Sequence, residues 1–196
     1  MSKLYFRYGV MGSSKTAEAL MCRFNYIQKG FNVLLLKSSI DNRFEDGNPQ
    51  VISRIGLKAD CIKFDKSQNL IDLFNAQNFK HKIDVIIVDE CQFATTKQIE
   101  ELRRISYDIP VLCYGLLTNF KTELFEGSKR LIEIADSLQE IKSVCTCGRK
   151  SSVNARLIDG KITTTGGEIL IGAEESYESM CYLCFRKKIS LQNKNE

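Results

Sequence analysis

The sequence predicts an α/β fold: a largely parallel sheet flanked by helices, with a small zinc-binding module at the C-terminal end. Three observations carry this expectation. Short apolar runs alternate with stretches of helical spacing, the pattern of strands buried on both faces. A loop, Gly9-Val10-Met11-Gly12-Ser13-Ser14-Lys15-Thr16, joins the first run to the first helical stretch. Four of the eight cysteines form two close pairs, Cys145/Cys147 and Cys181/Cys184.

The elements follow in order. Leu4 to Tyr8 reads as a first strand. Thr16 to Gln28 has helical apolar spacing through Ala17, Leu20, Met21, Phe24 and Ile27, and Gly30 ends it. Asn32 to Lys37 is a second buried strand. Ser39 to Gly56 is polar and contains Gly47 and Pro49, which predicts a loop with one short strand. Leu70 to Phe79 is a helix candidate. Ile83 to Val88 is an apolar strand interrupted only by Asp84, and it delivers Asp89-Glu90 at its end. Thr95 to Ile105 is helical, Pro110 to Tyr114 is another buried strand, and Gly115 releases the chain into Leu116-Leu-Thr-Asn-Phe120. Glu123 to Ile134 has weaker helical character. The composition changes near Ser143, where a hairpin is predicted from Val153 to Thr165 with Asp159-Gly160 at its turn. These shifts divide the chain into 1–142, 143–192 and a short tail, 193–196.

Composition excludes some classes. The chain has 196 residues, 43% hydrophobic and 27% charged, ordinary for a soluble globular protein. No apolar run approaches the roughly 20 residues that cross a bilayer, so no membrane partner is expected. Met1-Ser-Lys-Leu-Tyr-Phe enters a strand at once; no secretory signal is expected, and the expected location is the cytoplasm. A net charge of +4 is too modest to imply nucleic acid.

The loop after the first strand carries chemistry. A phosphate-binding loop has glycine, four residues, then Gly-Lys-Ser/Thr. Gly9 and Lys15-Thr16 occupy three of those places, but Ser14 stands where glycine is expected. Serine fits if the local φ is negative; otherwise the position is strained, or the side chain disturbs the cradle. Exposed N–H groups at the helix start can cradle phosphate oxygens. Lys15 would neutralise charge on them, and the Thr16 hydroxyl would ligate magnesium. The bland alternative is a Gly/Ser turn with an exposed lysine. Asp89 and Glu90 are delivered to the strand edge where open parallel sheets bind ligands. Asp89 suits a magnesium shell, and Glu90 suits orienting or deprotonating a nucleophile. Their alternative is a solvent-facing pair or a helix cap. If Glu90 activates water, the protein is an ATPase; if it activates a bound hydroxyl, it is a small-molecule kinase. Phe93, Phe120 and Tyr177 are candidate walls of an acceptor pocket, or simply core.

Four thiolates at Cys145, Cys147, Cys181 and Cys184 suit a closed tetrahedral zinc site, with free or disulfide-bonded cysteines as the alternative. Cys22, Cys61, Cys91 and Cys113 read as buried small hydrophobes. His81, between two lysines, reads as exposed. The basic residues of the second module (Lys142, Arg149, Lys150, Arg156, Lys161, Arg186, Lys187 and Lys188) leave a nucleic-acid-binding module as the non-enzymatic alternative.

Taken in order, these segments resemble the type II thymidine kinase family, which includes the cytosolic cellular enzyme and many bacterial ones. The resemblance spans about residues 3–188. It rests on Leu4-Tyr-Phe-Arg-Tyr-Gly-Val-Met-Gly-Ser-Ser-Lys-Thr16, Asp41-Asn-Arg-Phe44, Ser53-Arg-Ile-Gly-Leu57 and Asp89-Glu-Cys-Gln-Phe93. It continues through Tyr114-Gly-Leu-Leu-Thr-Asn-Phe120, Glu123-Leu-Phe-Glu-Gly-Ser128, Cys145-Thr-Cys-Gly-Arg-Lys150, Ile171-Gly-Ala-Glu-Glu-Ser-Tyr177, and Cys181 with Cys184. The tight first cysteine pair followed by Gly-Arg-Lys is similar to a bacterial branch. The resemblance implies a RecA-like P-loop domain over 1–142 and a zinc-binding lasso domain over 143–192. It implies magnesium-dependent transfer of the ATP γ-phosphate to the 5′-hydroxyl of thymidine, with deoxyuridine as a second acceptor, in nucleotide salvage. Lys15 and its loop (Gly9 to Thr16) would hold the phosphates, with Thr16, Asp89 and Asp41 around magnesium. Glu90 would be the base and Arg43 would steady the transferring group. Met11, Phe93 and Phe120 would shape the nucleoside pocket, Leu170, Ile171 and Gly172 would belong to the lasso, and Tyr177 would reach the sugar 3′-hydroxyl. A homotetramer inhibited by thymidine triphosphate is implied as well.

Overall fold

The computed structural model describes residues 3–41, 48–167 and 177–192. Arg43, Leu170, Ile171, Gly172 and the tail 193–196 lie outside the described residues.

Six strands form one all-parallel sheet: β1 (Leu4–Tyr8), β2 (Val33–Ser38), β5 (Ile62–Phe64), β6 (Val85–Asp89), β7 (Val111–Gly115) and β8 (Ser137–Glu140). Their spatial order is β5-β2-β6-β7-β1-β8. Successive side chains on a strand face opposite ways, and each central strand splits its apolar residues accordingly. Leu34 and Leu36, Ile86 and Val88, and Val111 and Cys113 join one core; Leu35, Val85, Ile87, Leu112 and Tyr114 join the other. The first core is closed by α2 (Leu70–Lys80), α3 (Thr96–Ile105) and α4 (Glu126–Ile134), through Leu70, Ile99, Leu102 and Leu131. The second is closed by α1 (Lys15–Gln28), through Ala19 and Leu20. Local signals set the helix starts: the Asn69 side chain accepts from the N–H groups of Ile71 and Asp72, and Thr95 with Gln98 forms a capping box.

The helical spacing read over Thr16 to Gln28 is α1, but its apolar residues divide between two faces. Ala17 and Leu20 are buried, but Met21, Phe24 and Ile27 are 50%, 58% and 40% exposed. Ala19 and Leu20 reach the core, with Cys22 and Tyr26 packed against it, while Met21, Phe24 and Ile27 form an outer face.

A hairpin of β3 (Gln50–Ile52) and β4 (Lys58–Asp60) lies beside α1. The C-terminal module is a three-stranded antiparallel sheet of β9 (Val153–Ile158), β10 (Lys161–Thr163) and β11 (Tyr177–Met180), covered by α5 (Tyr182–Gln192). Asp159 and Gly160 both have positive φ, 50° and 77°, as the turn between β9 and β10 requires. Val153, Ala155, Met180 and Phe185 form its core together with Cys145 and Cys181.

Candidate active site and metal centre

The C-terminal ends of β1, β2, β6 and β7 converge on one edge, where an open parallel sheet binds ligands. The loop from Gly9 to Ser14 leaves β1 there and turns into α1. Gly9 is required by space: a Cβ would stand 2.4 Å from both the Ile141 carbonyl and the Ser13 hydroxyl. Its N–H donates to the Gly115 carbonyl at 3.3 Å, tying the loop to the end of β7. Gly12 has φ +75°. Ser14 has φ +64°; the negative φ that would make serine comfortable is not what the loop adopts. A left-handed non-glycine residue costs about 1–2 kcal/mol, retained here at the candidate phosphate cradle.

Lys15 is buried, not exposed. Its ammonium donates to the Val10 carbonyl at 2.8 Å and to the Ser13 hydroxyl at 3.5 Å. Burial pushes its pKa below the usual lysine range and Arg54 adds to that push, while Glu90 and Asp89 oppose it. The Thr16 hydroxyl donates to Asp89 at 3.2 Å. Burial, reinforced by Glu90, pushes the Asp89 carboxyl up to about 7, against Lys15 and the Thr16 hydrogen bond. Such a carboxylate favours a cation beside it. Lys15, Thr16, Asp89 and Glu90 are therefore brought together as expected.

Glu90 follows β6 in the left-handed region, φ 53°, and opens a short 3-10 turn, Cys91–Phe93. Gln92 donates its amide to the Glu90 carboxylate at 2.5 Å. Asp41 pairs with Lys37 at 3.0 Å, both buried, and Lys37 lies in register with Asp89. That pair holds Asp41 at the same sheet edge.

The second module faces this edge through β9. Asn154 accepts from the Met11 N–H at 2.7 Å and donates to the Thr118 carbonyl at 3.1 Å. Arg156 stacks over Phe120 at 3.6 Å and donates through Nε to the Tyr177 hydroxyl at 2.8 Å. That hydroxyl keeps its own proton for a further acceptor. Phe120 is buried, and Phe93 packs edge-on against Phe125 at 5.7 Å. Asn154 and Arg156 were not singled out from the sequence as site residues. The available signal was two strongly polar side chains inside a strand that buries its first four residues, Val153 to Arg156.

Each of the four paired cysteines offers a sulfur within 4.8 Å of the other three, and Cys147 and Cys181 are 3.6 Å apart. A tetrahedron with metal–sulfur bonds of ~2.3 Å spaces its sulfurs by ~3.8 Å, so the donor set fits a structural zinc ion. Backbone donors favour the thiolate at two of the four cysteines. Backbone N–H groups of Cys147 and Cys181 pull Cys145 down to about 6, and that of Arg149 lowers Cys147. Cys184, hydrogen-bonded to Cys147 and Cys181, is pushed up to about 12. Of the isolated cysteines, Cys91 and Cys113 are buried, while Cys22 and Cys61 are half-buried. Those two pack against the edge of the second core rather than inside it. His81 is exposed.

The sequence matches the family described as Thymidine kinase over residues 2–185. It is 42% identical to the thymidine kinase of Shewanella oneidensis over 192 residues, covering 96% of this chain and 99% of the relative. It is 43% identical to that of Zymomonas mobilis over 193 residues, covering 97% and 99%. It is 42% identical to that of Haemophilus influenzae strain Rd over 191 residues, covering 96% and 98%. With matches spanning nearly its whole length, and cysteines placed to hold a metal, the chain belongs to the thymidine kinase family.

Proposed function

We propose that the protein transfers the γ-phosphoryl group of ATP to the 5′-hydroxyl of thymidine, giving thymidine monophosphate for nucleotide salvage, with deoxyuridine as a second acceptor. The observation that carries this is the joint placement of Lys15, Thr16, Asp89 and Glu90 at one sheet edge, together with the cluster of Arg156 on β9, Phe120 after β7 and Tyr177 on β11.

The chain's own groups divide the work. Val10 to Lys15 cradles the phosphates with backbone N–H groups and the Lys15 ammonium. Thr16 and Asp89 would hold magnesium, with Asp41 near its shell; the ion supplies charge neutralisation on the phosphoryl oxygens. Glu90 accepts the 5′-hydroxyl proton as the new O–P bond forms. Arg43 steadies the transferring group. Met11, Phe93 and Phe120 bound the nucleoside, and Tyr177 uses its free proton toward the sugar 3′-hydroxyl. Leu170, Ile171 and Gly172, outside the described residues, would belong to the lasso over the base, and excluding water there would disfavour ATP hydrolysis. Cys145, Cys147, Cys181 and Cys184 would hold zinc, which would supply folding energy to the C-terminal module.

The same reading includes a cytoplasmic homotetramer with feedback inhibition by thymidine triphosphate. The outer apolar face of α1, Met21, Phe24 and Ile27, with Phe31 46% exposed beside it, is surface that assembly would cover.

The test is product formation from magnesium-ATP with thymidine, deoxycytidine, deoxyadenosine, deoxyguanosine or no nucleoside. Thymidine-dependent thymidine monophosphate is expected. ATP loss without nucleoside would replace the reading with an ATPase.

A further inference from the structure

We propose that Gln92 is a positioning residue for the Glu90 carboxylate; the proposal rests on the role of Glu90 as base in the reaction above.

Gln92 is buried, and both ends of its amide are engaged. Nε2 donates to the Glu90 carboxylate at 2.5 Å, and Oε1 accepts from the Leu116 N–H at 3.0 Å. Leu116 is fixed on its other side, where its carbonyl accepts from the Ser128 hydroxyl at 2.5 Å. The amide thus bridges the candidate base to the end of β7.

Two glycines leave room for this bridge. A Cβ on Gly115 would stand 2.5 Å from Gln92 Oε1 and 2.8 Å from the Cys91 sulfur. A Cβ on Gly127 would stand 2.6 Å from the Cys91 carbonyl and 2.7 Å from that of Ala94. The 3-10 turn therefore lies directly against β7 and α4. Gly115 also accepts from Gly9, so the base and the phosphate loop are referred to the same residue of the sheet.

The bridge matters because proton transfer requires near-attack geometry. A glutamate has three side-chain torsions and loses rotamer freedom when held. Gln92 limits that freedom before substrate arrives. An amide does so without adding a positive charge, which would make a carboxylate a poorer base.

Two substitutions separate this role from simple packing. Gln92→Met keeps the length and removes both hydrogen bonds. Gln92→Glu keeps the acceptor for the Leu116 N–H but turns an oxygen toward Glu90. Each is made in the full chain and in a Glu90→Gln background. Turnover, thymidine and magnesium-ATP dissociation constants, and the thermal midpoint are measured at pH 8. In the Glu90 chain, both are expected to lower kcat by about 10- to 100-fold, with dissociation constants within about twofold. In the Glu90→Gln background, Gln92→Met is expected to lower the residual rate by less than about twofold, because groups acting as one unit are not additive. Multiplying losses in that background would overturn the proposal, as would near-parental turnover in Gln92→Glu. Absence of thymidine monophosphate from the unsubstituted protein would remove the reaction itself, and the role of Gln92 with it.

Discussion

Glu90 and Ser14 both occupy left-handed backbone, φ 53° and 64°, and both border the candidate phosphate site. For Glu90, the conformation starts the 3-10 turn and places the carboxylate beside Gln92. Glu90→Gln is expected to lower turnover by about 10²–10⁴-fold, the usual contribution of a general base, while magnesium-ATP affinity changes little. Isothermal titration alongside initial rates checks this, and an equally large loss of ATP affinity would remove Glu90 from the base role. At Ser14 the strain is purely conformational, since the side chain makes no capping hydrogen bond. Ser14→Gly relieves the φ cost but enlarges the unfolded ensemble, so its thermal stability is expected to stay within about 1 kcal/mol of the parent. Ser14→Val, β-branched at positive φ, is expected to lose about 1–2 kcal/mol. Thermal unfolding of the two variants decides the matter, and a Ser14→Val protein as stable as the parent would contradict the strained φ.

At the scale of elements, the C-terminal module depends on its cysteines. Cys145 and Cys147 precede β9, while Cys181 and Cys184 flank the start of α5, so one ion held by the four would join both ends of the small sheet. Removing zinc is expected to unfold this module and weaken thymidine binding more than ATP binding. Hydrogen exchange across 145–187, with titrations of both ligands, reads it out; unchanged folding and activity in a verified zinc-free sample would end that role. The sheet was legible in the sequence, because β2, β6 and β7 carry unbroken apolar runs and β1 is interrupted only by Arg7, and the α3 cap has its own signature. The edge strand β8, Ser-Leu-Gln-Glu, was not: it has one large apolar residue, and Leu138 is 47% exposed. Helix α5 was missed because among its residues only Phe185 is buried. In the site, Lys15, Thr16, Asp89 and Glu90 were readable from spacing. Asn154 and Arg156 were not, because their partners lie on distant loops, at Met11, Thr118 and Phe120.

At the scale of the whole molecule, Met21, Phe24 and Ile27 give α1 an apolar outer face that the single chain leaves exposed. Phe24→Glu places a charge in its middle and is expected to reduce the assembled mass in sedimentation without altering the thermal unfolding of the separated chain. An unchanged mass would locate assembly elsewhere. The order of strands has a separate consequence, for synthesis. β1 precedes both of its partners in the chain, lying between β7 and β8 and pairing Leu4 with Val111 and Tyr5 with Ser137. At ~5–20 residues per second, this apolar segment waits several seconds on the ribosome for its first neighbour and longer for its second. An unpaired strand that is apolar but for Arg7 is a natural client for a chaperone that acts during translation, and a pause placed before residue 111 would lengthen that exposure.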